Sequence, residues 1–521
     1  MRGIPPENSP AGAFLRAHRE VFILRASGIL LPVSSLPSPY GIGTLGRSAY
    51  EFVDFLQEAG QAYWQVLPIG PTSYGDSPYQ SFSTFAGNPY FLDLDIFCDQ
   101  GLLTKEECLE DHWGDDPEQV DYKALWDARF VLFRKAFARG KEEPAIKKFR
   151  EENRWWLEDY ALYMAVKAQM EDRSWITWDE DIRLRRPEAL ARYREGLWED
   201  VEFYIFLQYH FYEQWGALRK YANQKGVKLI GDIPIYVALD SADVWAEPEQ
   251  FQLDEDCRPI DVAGCPPDAF SADGQLWGNP LYRWEDMKEN QYAWWVRRLR
   301  HNVQLFDMTR IDHFRGFAGY YAIPYGDKTA KNGEWRKGPG IDFFRSVKKQ
   351  LGKMDLIAED LGFLTPDVKK MLKASGYPGM KVLQFAFDSR EESDYLPHNY
   401  DKNCVVYTGT HDNDTTAGWF ETAPKADVRF AKKYLGVRYN RDGAWAFIRA
   451  AMASVANLAV TPMQDFLNLG SEARMNTPST LGGNWQWRAL PGFDSPALAR
   501  RVRRQMELYE RLPEEKGGEA V

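Results

Sequence analysis

The chain has 521 residues, a net charge of −12 and a pI near 5.3. That length allows several domains or one barrel with insertions, and the acidic balance argues against a nucleic acid or an anionic membrane as partner. Five scattered cysteines (98, 108, 257, 265 and 404) make no CxxC pair, which suits a reducing compartment and supplies no zinc site.

The first 25 residues lack a signal-peptide core, and nowhere do 18 apolar residues run together, so a cytoplasmic protein is expected. Residues 1–25 read as an N-terminal extension, poorly ordered like the tail EEKGGEAV. From there, continuous apolar runs suit strands buried on both faces of a parallel sheet. They are GILLPV (28–33), YWQVLPI (63–69), VKLIGDIPIYV (227–237), FDMTRID (306–312), MDLIAED (354–360), MKVLQFAF (380–387), CVVYTGTHD (404–412) and AVTPMQDFL (459–467).

Helical patterns lie between several of them. SAYEFVDFLQEAG precedes the second run, and the long pattern starting at residue 201 stops at Gly226 before the third. TPDVKKMLKASG offers Thr365 as N-cap, Pro366 at the first helical position and Gly376 at the end. Another pattern, GAWAFIRAAMASVANL, precedes the eighth run. Eight strands alternating with helices predict an α/β fold, a (β/α)8 TIM barrel. The uneven spacing places the insertions: a mainly helical, Trp-rich subdomain over 98–226 and a loop-like insertion over 238–305. The catalytic barrel is therefore expected over 26–97 and 227–510. Aromatics are 15% of the chain, with 19 Trp, which suits either an aromatic-rich core or stacking platforms for flat apolar ligand faces such as sugar rings.

Acidic residues gather at three strand ends. In RIDHFRGF (310–317), Arg310 and Asp312 are two apart, so on one strand they share a face, and at the C-terminal end of a barrel strand that face looks into the mouth. A guanidinium beside a carboxylate favours its charged form, which suits either a nucleophile or an ion pair bracing the barrel. IAEDLG brings Glu359 and Asp360, a general acid/base or a helix cap and a solvated carboxylate. GTHDND brings His411, Asp412 and Asp414, functional groups or an Asx-rich turn. One nucleophilic carboxylate and one protonated carboxylic acid are the minimum set for retaining glycoside chemistry. A metal held by Asp312, His411 and Asp412 competes, but Arg310 would repel the cation and no HxH or HExxH spacing occurs. GIGTLG (41–46) matches a dinucleotide fingerprint but follows turn residues rather than a strand. DEDCRPID (254–261) lacks calcium-loop spacing.

The segments GILLPVSSLPSPYGIGTLG, YWQVLPIGPTSYGDSPYQSFSTFAGNPYF, GDIPIYVALDSADVW, WGNPLYRW, RIDHFRGF, IAEDLG, GTHDNDT and MNTPST follow one another over about 28–490. Together they resemble the 4-alpha-glucanotransferases: the amylomaltases and plant disproportionating enzymes of glycoside hydrolase family 77. The resemblance implies an alpha-amylase-like barrel that moves alpha-1,4-glucan segments between chains. It implies Asp312 as nucleophile, Glu359 as general acid/base and Asp412 as transition-state stabiliser. Arg310 would flank the nucleophile, His313 and His411 would bind hydroxyls, Tyr79 would stack on the donor sugar, and Asp232 would bind it. Trp277 and Asn279 would lie in a loop over the glucan groove, and Tyr74 at a remote glucan site. Neither cofactor nor metal is implied. The expected partners are alpha-1,4-glucans and maltooligosaccharides, with no nucleic acid or membrane, on a monomer or small homo-oligomer. The alternatives are a retaining alpha-glucan hydrolase and a non-catalytic glucan-binding barrel. The latter would be expected to have lost one of the three carboxylates.

Overall fold

Twelve strands are present in the computed structural model, which describes residues 25–513 apart from 74, 268–270, 363 and 481. They are β1 (Ala26–Leu30), β2 (Tyr63–Gln65), β3 (Lys228–Pro234), β4 (Asp261–Cys265), β5 (Gln275–Pro280), β6 (Met308–Asp312), β7 (Gly319–Pro324), β8 (Glu334–Lys337), β9 (Leu356–Ala358), β10 (Gly379–Val382), β11 (Cys404–Tyr407) and β12 (Leu458–Pro462). Eight of these close a parallel barrel in the order β1-β2-β3-β6-β9-β10-β11-β12, with β12 pairing back onto β1. Each overlaps one of the eight apolar runs, and the expected (β/α)8 barrel is the fold. The expected N-terminal extension and C-terminal tail fall almost wholly outside the described residues.

Several runs outlast their strands. The run 380–387 leaves β10 for a 3-10 turn at Leu383–Phe387, and 459–467 leaves β12 for a short helix at Met463–Leu467. Burial selects apolar residues in turns and strands alike, so an apolar run does not mark a strand end. The helix Pro366–Ser375 begins with Pro366 and ends at Gly376 with φ 77°, as expected. Thr365, however, makes no side-chain bond to the helix backbone.

Between β2 and β3 the chain builds helices, among them Tyr122–Gly140, Pro144–Gln169 and Trp198–Gln224. The last is buried over successive residues from Phe203 to Gln208, as a helix must be when it packs on all sides. It sits among β3 and the helices Arg47–Glu58, Tyr122–Gly140 and Pro144–Gln169. Lys167 joins this insertion to the barrel loops. Nearly wholly buried, it donates to Asp240 Oδ2 at 2.7 Å and stands 4.9 Å from the Phe82 ring centre. Tyr163 donates to the other oxygen of Asp240 at 2.7 Å.

The stretch expected to be loop-like, 238–305, is more ordered than that. It contains the helices Trp284–Glu289 and Ala293–Leu305 and the strands β4 and β5. With β7 and β8 those strands form an antiparallel sheet in the order β5-β4-β7-β8. The strands are short, β4 and β5 slip register between Val262 and Gly264, and such pairing leaves little period-2 pattern in sequence. The aromatic residues divide between the core and partly open positions. Trp64, Trp175, Trp215, Trp245, Trp294 and Trp295 are fully buried core, while Trp277 is half-buried beside the barrel mouth. Among the described residues no helix is long and apolar enough to cross a membrane.

Candidate active site

Strand register assembles the floor of the site. β3 and β6 pair Asp232 with Arg310 and Pro234 with Asp312, so the guanidinium lies between two carboxylates. Arg310 donates to Asp232 Oδ2 at 2.6 Å and to Asp312 Oδ1 at 2.8 Å, and its side chain is 4% exposed. Burial alone would depress a guanidinium. The two carboxylates more than offset it and hold Arg310 above its ordinary value. Tyr79 donates to Asp232 Oδ2 at 2.8 Å. Asp232 is itself fully buried, and burial pushes it up to about 7 against the pull of Arg310. Its Oδ1 has no hydrogen-bond partner among the described residues.

The next pairing, β6 with β9, matches Ile311 to Ala358. Glu359 therefore leaves its strand directly beside Asp312. Two backbone N–H groups clamp its carboxyl: His313 donates to Oε2 and Leu361 to Oε1, each at 2.7 Å. Burial first, and then the negative charge of Asp312, raise Glu359 to about 7. His313 reaches it from a left-handed backbone, φ 52°, unusual for a residue with a Cβ and typical of functional turns. Burial lowers the His313 imidazole to about 4, so it is neutral at neutral pH.

The third wall follows β11. Asn476 donates to Asp412 Oδ1 at 2.6 Å, Arg474 donates to the Asp412 carbonyl at 2.7 Å, and His411 Nε2 lies 3.4 Å from Oδ1. Burial holds the His411 imidazole below its ordinary range. His411 stacks on Tyr79 with ring centres 5.1 Å apart, and both lie within 6 Å of Trp485, itself at φ 64°. Two strained backbones thus serve one mouth.

The expected residues Arg310, Asp312, His313, Glu359, Asp232, Tyr79, His411 and Asp412 therefore converge. So does Trp277, which meets His313 edge-on at 4.8 Å. The polar partners Arg474 and Asn476 and the aromatic Trp485 were not assigned from sequence. They lie in a turn-rich segment after the last barrel strand, where only the position of Asn476 in MNTPST gave a signal.

A sequence profile of the 4-alpha-glucanotransferases, glycoside hydrolase family 77, matches residues 31–492. The chain is 50% identical over 483 residues to a Clostridium butyricum protein named 4-alpha-glucanotransferase, covering 92% of this chain and 99% of that one. It is 49% identical over 501 residues to one from Thermus thermophilus, covering 94% and 99%. The chain belongs to the 4-alpha-glucanotransferase family. A solved amylomaltase from Streptococcus agalactiae in complex with acarbose superposes with a TM-score of 0.92 at 41% identity, covering 94% of this chain and all of that one.

Of the two remaining residues implied by the family resemblance, Asn279 lies among the described residues. Asn279 is buried, donates to the Val237 carbonyl at 2.8 Å and accepts from Gln80 at 3.2 Å, so its amide braces the loop that carries Tyr79. Tyr74 lies outside the described residues. The glycines of GIGTLG are packing devices. A Cβ on Gly43 would lie 1.8 Å from the Val33 carbonyl oxygen, and one on Gly46 would lie 1.9 Å from the Asp93 carboxylate.

Proposed function

We propose that this 4-alpha-glucanotransferase family member moves alpha-1,4-glucan segments from a donor to the 4-hydroxyl of an acceptor glucan or glucose by retaining double displacement. Asp312 attacks the anomeric carbon as the glycosidic bond breaks, and the proton of Glu359 passes to the departing glucan oxygen. A beta-glucosyl ester forms on Asp312. Glu359, now a carboxylate, takes the proton of the incoming 4-hydroxyl, whose oxygen displaces Asp312 and restores the alpha bond. This sequence calls for the two carboxyls to stand about 5–5.5 Å apart.

The observation that carries the reading is the contrast between neighbours. Glu359 is held near 7 by burial and by the charge of Asp312, while Asp312 accepts from the buried Arg310. A proton donor beside a guanidinium-bound carboxylate suits one acid and one nucleophile. Asp412, bonded to Asn476, would accept from the sugar's 2- and 3-hydroxyls. His313 and His411, neutral by burial, would donate to hydroxyls, and Tyr79 and Asp232 would hold the donor sugar. Among glucans, the substrates are alpha-1,4-linked maltooligosaccharides.

Transfer outruns hydrolysis when an acceptor hydroxyl is held in attack geometry at high effective concentration. With maltotriose alone, the expected products are glucose and longer oligomers at a constant total of reducing ends. Reducing ends rising in step with glucose would mark a hydrolase and sink the reading.

A further inference from the structure

Arg315 belongs to the same charged stretch as the nucleophile, yet the chemistry above does not use it. It lies on the 3-10 turn Phe314–Phe317. That turn is fastened to the acid/base: Phe314 donates its N–H to the Glu359 carbonyl at 3.0 Å, one residue after His313 donates to the Glu359 carboxyl. On its other side the turn is pinned to the end of β8, since Gly340 donates to Phe317 and Gly338 to Ala318. A Cβ at Gly338 would lie 2.4 Å from the Phe317 carbonyl oxygen, so only glycine allows this approach. The turn and the outermost strand of the antiparallel sheet therefore form one rigid ledge beside Glu359.

On that ledge the Arg315 guanidinium stands 4.1 Å from the centre of the Trp335 ring. Tyr321, paired with Trp335 across β7 and β8, meets the same ring edge-on at 5.3 Å. Trp335 nevertheless stays 45% exposed. A large aromatic fixed in orientation by a cation and an edge contact, yet open to solvent, is a preformed stacking surface. The bond from Phe314 to Glu359 puts the turn that carries Arg315 on the Glu359 side of the site. Glu359 gives its proton to the departing oxygen and takes one from the incoming hydroxyl, so it faces the acceptor. Tyr79 and Asp232 stand beyond Arg310 on the other wall.

We propose that Trp335, oriented by Arg315, is an acceptor-side platform for the apolar face of a glucose unit of the incoming glucan. It would select a sugar over water as the second-step nucleophile. This inference rests on the transfer reading above and adds a specificity-determining residue to it.

The test uses the whole protein with alpha-maltosyl fluoride as donor and maltose or maltotriose as acceptor. Fluoride release reports formation of the glycosyl-enzyme, and chromatography divides the product between transferred oligomer and free maltose. Trp335→Leu, which keeps an apolar side chain against Tyr321 but lacks a flat face, is expected to lower the transfer-to-hydrolysis ratio about five- to tenfold. The half-saturating acceptor concentration should rise by a similar factor. Trp335→Phe should restore most of both. If Trp335→Leu proves unfolded by thermal melting, Trp335→Gln at this half-exposed site carries the same measurement. A ratio and acceptor dependence within about twofold of wild type would overturn the platform while leaving the transfer reading intact. A wild-type protein that transfers nothing to either acceptor would overturn both.

Discussion

The backbone N–H of His313 donates to Oε2 of Glu359 at 2.7 Å, so the residue after the proposed nucleophile, Asp312, holds the carboxyl proposed as acid/base. That bond favours the ionised carboxyl and opposes the burial that raises Glu359 to about 7. Because the proposed first step needs the Glu359 proton, kcat/KM for maltotriose should fall as pH rises through about 7. His313→Asn tolerates the left-handed backbone and should leave that limb in place. His313→Val, which resists φ 52°, should loosen the bond, move the limb to higher pH and lower the rate. Identical limbs in the two variants would refute the link.

Asp312→Asn should abolish transfer and hydrolysis together, by at least about a thousandfold. Maltoheptaose binding, followed by calorimetry, should persist, because Tyr79, Asp232 and His411 are untouched. A variant with a near-normal rate would remove Asp312 from the nucleophile's role.

Asp243 lies outside the chemistry and tests electrostatics alone. Burial raises it from its ordinary 3.8 to about 7, against the pull of the Thr84 N–H and Arg298. A carboxyl raised in the folded state stabilises fully below its unfolded value, and that contribution is lost as pH climbs to about 7. Asp243→Asn keeps an acceptor for the Thr84 N–H, which donates to Asp243 at 2.8 Å, and cannot ionise. It should be about 1–3 kcal/mol more stable than wild type at pH 8, with the gain vanishing near pH 4. Chemical denaturation at the two pH values checks the sign.

Lys167→Met should cost about 2–4 kcal/mol in a denaturant titration, because Asp240 then keeps its place without its buried partner. The loop carrying Phe82 and Tyr79 also loses the ammonium against the Phe82 ring, so KM for maltotriose should rise. Unchanged stability would show that Tyr163 and the Trp175 N–H suffice to hold Asp240.

Much of the barrel was legible because a parallel strand buried on both faces reads as an apolar run, and each of the eight runs overlaps one barrel strand. The sheet β5-β4-β7-β8 was not, since DVAGC and QLWGNP are short and interrupted by glycine, and their pairing is settled by partners far along the chain. At the site, Asp312, Glu359 and Asp412 could be picked out as acidic residues at strand ends. The bond from Asn476 to Asp412, 64 residues apart, has no local signature.

Sequence alone therefore marked Arg310, Asp312, Glu359 and Asp412 as charged groups at strand ends, through apolar runs and the two-residue spacing of Arg310 and Asp312, while Tyr79, Asp232 and Trp277 came from the family resemblance. Tertiary structure decided what state those groups are in. Glu359 and Asp312 are both simple carboxylic acids in the chain. One is driven to about 7 by burial and its neighbour's charge, while the other accepts a hydrogen bond from a buried guanidinium. Desolvation and Coulomb interaction depend on distances through space, and only the closed barrel sets those.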